Sequence, residues 1–185
     1  MMSPVLSRLC RVAFALAIAS ATAGCFQPLY GDHSVAASGS NISAAMAGVD
    51  VMQIPAANGT PEARLAVALR NDLLFDLNGG TAPSVPTHQL RITLASQRLS
   101  VIVDVTTARP DNEIYGLNAS YSLVDLRTGK VVLTDNTFSR VSYDIPGQQQ
   151  RFARARGLRD AETRATRVIA ENIRNRLASY FTAGT

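Results

Sequence analysis

The chain has 185 residues, 46 % of them apolar, with 18 Lys+Arg against 14 Asp+Glu. That length suits one domain with a real core. The formal charge of +4 is too small to argue for nucleic acid as a partner.

Residues 1–24 have the layout of a secretory signal peptide. Arg8 and Arg11 form a basic start, residues 12–19 are apolar, and residues 20–24 are small. The apolar run is far short of the roughly 20 residues that span a bilayer. Thr22-Ala23-Gly24 then leads into Cys25, the arrangement in which bacteria cleave before a cysteine and acylate it. Acyl chains bind membranes with about 0.8 kcal/mol per buried methylene, so several chains on Cys25 would make release negligible. The residue after the cysteine is Phe26 rather than Asp, the usual inner-membrane retention residue, which points to the outer membrane. The second cysteine, Cys10, leaves with the leader, so no disulfide is expected.

Residues 25–46 are rich in Ala, Ser and Gly and read as a lipidated start followed by a flexible tether. A single domain is expected over residues 47–182. Its first strand covers residues 49–54 and stops at Pro55. Asn58-Gly59 turns the chain, and Thr60, Pro61 and Glu62 form a helix start of cap, first-turn proline and acid. Leu65, Leu69, Leu73 and Leu77 recur every four residues as one apolar stripe, ended by Asn78-Gly79-Gly80.

Three strands follow. Leu90, Ile92 and Leu94 alternate with polar residues; beyond Ser96-Gln97 the apolar positions become odd-numbered (Leu99, Val101, Val103, Val105), which predicts a bulge at residues 96–98. Tyr115, Leu117, Ala119, Tyr121 and Leu123 alternate with small polar residues, and residues 126–131 read as a tight hairpin into a strand ending near Tyr143. A polar, basic stretch over residues 148–157 then leads to a helix with Leu158, Ala161, Ala165, Val168, Ile169, Asn172, Ile173, Leu177 and Tyr180 on one face. The order strand-helix-strand-strand-strand-helix predicts an α+β two-layer sandwich. Two helices would pack on one face of a mostly antiparallel four-stranded sheet.

A search for chemistry finds little. His33 and His88 have no partners at metal-ligand spacing, and no metal or other cofactor is called for. No nucleophile elbow, phosphate-binding glycine loop or paired acid is present, so a non-enzymatic protein is expected. The cations are more informative: Arg127 and Lys130, the chain's only lysine, project from the hairpin, with Arg91 and Arg98 on strand positions nearby. Arginine's planar fork suits phosphate oxygens. Eight arginines between Arg151 and Arg176, against Asp160, Glu162 and Glu171, make the last helix basic as well.

The run Cys25-Phe26-Gln27-Pro28-Leu29-Tyr30-Gly31 resembles the start of the LptE family of lipopolysaccharide-assembly lipoproteins, in the alphaproteobacterial form, although this chain lacks the glycine that commonly follows the cysteine there. The resemblance implies an outer-membrane lipoprotein of α+β fold, tethered by its lipid on the periplasmic side. Such a protein plugs the β-barrel protein LptD, assists that barrel's assembly and helps insert lipopolysaccharide into the outer leaflet. It also implies lipopolysaccharide binding through basic residues, for which Arg127 and Lys130 are the first candidates and Arg91 and Arg98 the second. A periplasmic lipoprotein serving an ABC-type lipid transport system would show a similar layout and is the competing reading.

Overall fold

The structure is a computed structural model that describes residues 42–80, 82–83, 85–104, 109–145 and 151–183. Cys25, His33, Val105 and the tether up to residue 41 lie outside the described residues.

Seven elements follow in chain order: α1 (Ile42–Ala47), β1 (Val49–Val51), α2 (Pro61–Asn78), β2 (His88–Asp104), β3 (Arg109–Asp125), β4 (Val131–Asp144) and α3 (Arg151–Ala183). The sheet runs β1-β2-β3-β4, with β1 parallel to β2 and the other pairs antiparallel. The sheet is therefore mixed. The parallel pair arises because β1 reaches β2 through the α2 crossover, whereas β2, β3 and β4 fold back on one another.

Helix α2 forms as its sequence demands. Thr60 accepts a hydrogen bond from the Ala63 N–H at 3.2 Å, Pro61 opens the first turn, and the Gly79 and Gly80 N–H groups close the last turn on Phe75 and Leu74 carbonyls at 3.0 Å. Its stripe of Leu65, Leu69, Leu73 and Leu77 is buried, together with Ala66 and Leu74. The opposing sheet face supplies Leu90, Ile92, Tyr115, Leu117, Ala119, Tyr121, Leu123 and Leu133. Even-numbered residues of β2 and odd-numbered residues of β3 and β4 thus face the helices, as the register Leu90↔Leu123↔Leu133 requires.

Five expectations are corrected. Residues 42–46, read as the end of the tether, lie in helix α1, whose Ile42 and Met46 are buried in the core; the periodic pair Ile42 and Met46 is enough for one apolar face. Strand β1 ends at Val51, three residues before Ile54, although Ile54 is itself buried.

No bulge interrupts residues 96–98. Pairing with β3 is continuous from His88↔Asp125 to Val101↔Asn112, and register shifts occur only beyond it, between Val101/Ile102 and Ile102/Asp104. Leu99 therefore points away from the helices and stays exposed. The parity change marks an apolar residue, Leu99, on the sheet face that the helices leave uncovered, not a change of register.

Helix α3 begins at Arg151, well before Leu158. Gly157 lies within this helix against β4, where a Cβ would make ordinary contact, 3.4 Å from the Tyr143 ring and 3.5 Å from the Asp144 carbonyl oxygen. The buried face of α3 is also rotated from the expected one. Val168 and Asn172 are exposed, while Glu162, Thr166, Ala170 and Ala178 are buried. Asn172 instead donates its side-chain N–H to Thr137 Oγ1 at 2.9 Å.

Candidate functional site

The β3–β4 hairpin is built around Asp125. Its Oδ1 accepts the N–H groups of Arg127 at 2.7 Å and Thr128 at 3.2 Å, its carbonyl accepts the Gly129 N–H at 2.8 Å, and its own N–H donates to the Lys130 carbonyl at 2.9 Å. Gly129 has φ 69°, a left-handed conformation that closes the turn and disfavours side chains. Slight desolvation pushes the Asp125 carboxyl up, but the two N–H bonds, the Thr128 hydroxyl and the Arg127 charge outweigh it and hold it below 3.8. The aspartate thus stays ionised and fixes the backbone from which Arg127 and Lys130 project into solvent.

Beneath the hairpin lies a cleft of about 410 Å³ lined by Pro86, Thr87, His88, Asp125, Leu126 and Arg127. His88 shares a hydrogen between Nδ1 and Thr87 Oγ1 at 2.9 Å and meets the Phe181 ring edge-on at 5.1 Å. Burial pushes the imidazole below its ordinary 6.5 against the opposing pull of Asp125, so His88 is neutral at pH 7.

Arg91 is three residues up β2 from His88, about 10 Å along the strand, and its Nε donates to Gln89 Oε1 at 2.9 Å. It sits on the sheet face away from the helices, in the same half of the domain as Arg127 and Lys130. Arg98 is placed elsewhere: opposite Tyr115, on the helix-facing side, seven residues or about 23 Å further along the same strand. Arg91 and Arg98 thus lie on opposite faces of the sheet, with only Arg91 in the hairpin's half, because an odd and an even position on one strand face opposite ways.

Arg98 belongs to a polar cluster at the far end of the sheet that has no local signature in the sequence. Glu113 on β3 is 5 % exposed. Its carboxylate accepts from the Tyr143 hydroxyl, from Arg154 Nη2 at 2.7 Å and from the Ser100 hydroxyl at 3.4 Å. Next to it, Arg64 of α2 pairs with buried Glu162 of α3, and the Ser96 hydroxyl donates to Glu62 at 2.7 Å. Together these join both long helices to the sheet. Periodicity reveals such groups only as polar residues at inward positions, since their partners are up to 98 positions away.

Among the described residues no group of His, Cys, Asp and Glu is arranged to hold a metal ion, and no helix is long and apolar enough to cross a membrane.

Similar folds are known. A lipoprotein from Caulobacter crescentus superposes with a TM-score of 0.61 at 19 % identity, covering 78 % of this chain and 97 % of its own. Rare lipoprotein B from Shewanella oneidensis gives a TM-score of 0.50 at 15 % identity, covering 70 % of this chain and 95 % of its own. At those identities the likeness is one of fold. No curated relative matches by sequence. The model of the LptE lipopolysaccharide-assembly family, however, matches residues 49–177, from the first residue of β1 to the last turns of α3, and the chain therefore belongs to that family.

Proposed function

We propose that this protein is an outer-membrane lipoprotein that plugs the LptD β-barrel from the periplasmic side and assists both its assembly and the insertion of lipopolysaccharide. Membership of the LptE family makes lipopolysaccharide assembly its role, and the match over residues 49–177 carries the finer reading. A two-layer body with a continuous core suits a part that acts by filling space. The match also favours this over an accessory of an ABC-type lipid transporter. Purification in mild detergent tests it: a large outer-membrane barrel should be recovered with the protein, and recovery of an inner-membrane transporter instead would overturn it.

The anchor is Cys25. Cys25→Ser should abolish labelling of the protein by radioactive palmitate and leave any remaining membrane association to the barrel, since no helix among the described residues is long and apolar enough to cross a membrane. A Cys25→Ser protein still labelled by radioactive palmitate would remove the cysteine from this role.

Lipopolysaccharide contact is assigned first to Arg127 and Lys130, with Arg91 in support and Arg98 as a separate, weaker point of contact. Cations held on a rigid turn compete for the phosphates and divalent ions that pack lipopolysaccharide into aggregates. Hydrogen bonds to charged groups contribute about 1.5–3 kcal/mol each, and solvent screening reduces this at an exposed turn. Arg127→Glu/Lys130→Glu should therefore weaken lipopolysaccharide binding at least about tenfold. The melting temperature should stay put, since both side chains are exposed. Unaltered affinity in a pull-down would sink the assignment.

A further inference from the structure

We propose that the uncovered face of the sheet is the surface that meets the inner wall of an outer-membrane β-barrel, with Phe138, Arg140 and Leu99 as its anchors. The inference rests on the barrel-plug reading and adds to it the face that makes the contact.

Both long helices pack on one side of the sheet, so the other side of β2, β3 and β4 is left without a cover among the described residues. Its composition is unusual for an exposed surface. Register places Thr93, Ser120 and Asn136 in one row and Arg91, Ser122 and Thr134 in the next. Among the described side chains of these three strands on this face, the charges are Arg91, Arg140 and Asp144. The solvent side of α3 is different, with Arg156, Arg159, Arg164 and Arg167 against Asp160 and Glu171. Apart from Arg91 at the hairpin end, an anionic lipid would find its counter-charge at the hairpin tip and on α3 rather than on this face. A nearly neutral carpet of hydroxyls and amides suits a polar, hydrogen-bonding wall, and the lumen of an outer-membrane barrel is lined by polar side chains.

The anchors stand out from that carpet. Leu99 is 63 % exposed and Phe138 61 % exposed, and the Arg140 guanidinium carbon lies 5.5 Å from the Phe138 ring centre. Register puts Phe138 beside Asn118 and Ala95, and Leu99 beside Ile114, with Arg140 and Gly116 in the row between. Aromatic and arginine side chains at the centre of a patch ringed by neutral polar groups are where binding energy concentrates. The apolar residues are too few for this face to become the core of a sheet-on-sheet dimer, which is more apolar than an ordinary surface. The size fits as well. Three strands, the shortest of 14 residues, present about 650 Å² at ordinary strand spacing and rise, near the roughly 800 Å² each partner gives to a stable interface.

The test uses the full-length lipoprotein in its own outer membrane. A photo-cross-linking residue is placed at Asn118, Ser120 or Asn136 on the sheet face, or at Arg159, Arg167 or Glu171 on the outer side of α3. Cross-links to the barrel are expected from the sheet positions. Phe138→Ser/Arg140→Ser should lower recovery of the barrel about tenfold with the melting temperature kept. Barrel cross-links from the α3 positions alone, or sheet-face cross-links to lipopolysaccharide or to a second copy of the chain, overturn the inference while leaving the plug intact. If no barrel is recovered with the wild-type protein, the plug reading fails and this inference fails with it.

Discussion

Leu69→Ala is expected to lower the unfolding free energy by about 3–4 kcal/mol, within the range for a leucine truncated in a rigid core. Leu69 is 0 % exposed and sits in the middle of the α2 stripe. Helix α2 packs on β1, β2 and α3 together, so its neighbours are held from several sides and have little freedom to collapse into the void. For a domain of this size such a loss lowers the melting temperature by about 10 °C. Urea unfolding measures it directly. Val67→Ala, two positions away on the exposed side of the same helix, should change stability by no more than about 0.5 kcal/mol. Equal effects for the two would mean that the stripe is not the packed face of α2.

Glu113→Ala is expected to cost about 2–3 kcal/mol at neutral pH. The loss removes charge-assisted hydrogen bonds and leaves the Tyr143 hydroxyl buried without its acceptor. Arg154 is half exposed and rehydrates, which keeps the cost below that of a fully buried pair. The same carboxylate sets a pH dependence. Burial pushes the Glu113 carboxyl up, but the Tyr143 hydroxyl, the Arg154 charge and hydrogen bond, and the Ser100 hydroxyl outweigh it and hold it below 4.5. Burial and the hydrogen bond to Glu113 push the Tyr143 hydroxyl up to about 12, so tyrosine stays the donor throughout. A carboxyl depressed on folding contributes stability above its unfolded value and loses it as pH falls through its folded value. The Glu113 contribution should therefore be whole at pH 7 and fade below pH 4.5. In Glu113→Gln that part of the acid slope should vanish, and an identical slope in wild type and variant between pH 7 and pH 3 would show that the carboxylate is not held this way.

How much was readable without coordinates depended on how far apart the interacting residues lie. Helix α2 was fully legible, because cap, proline, acid, leucine stripe and glycine stop all act within a few residues of one another. The hairpin at residues 125–130 was legible for the same reason: the hydrogen bonds that Asp125 makes in the turn all span five residues or fewer. Strand β2 misled. Its change of apolar parity is a real pattern, but Leu99 stands on the sheet face that the helices do not cover, so its exposure needs no change of register. The start of α3 was hidden too, since the basic run over residues 151–157 offers no apolar stripe to mark a helix.

For the candidate sites the division is similar. The residues were nameable by type, and Arg127 and Lys130 do share a rigid tip. That Arg91 stands in their half of the sheet while Arg98 joins the Glu62, Tyr115 and Tyr143 surroundings was decided by strand parity and length.

From its sequence alone this chain determined its α+β class, its element order, the hairpin and the family resemblance at residues 25–31, since each depends on local propensity, periodicity or a short motif. Only the tertiary structure decided that α1 enters the core, that β1 runs parallel, that three glutamates and two tyrosines gather with arginines at one end, and that one sheet face is left bare. Those features arise from contacts between residues tens of positions apart, and such contacts are selected by packing in three dimensions, which no window along the chain contains.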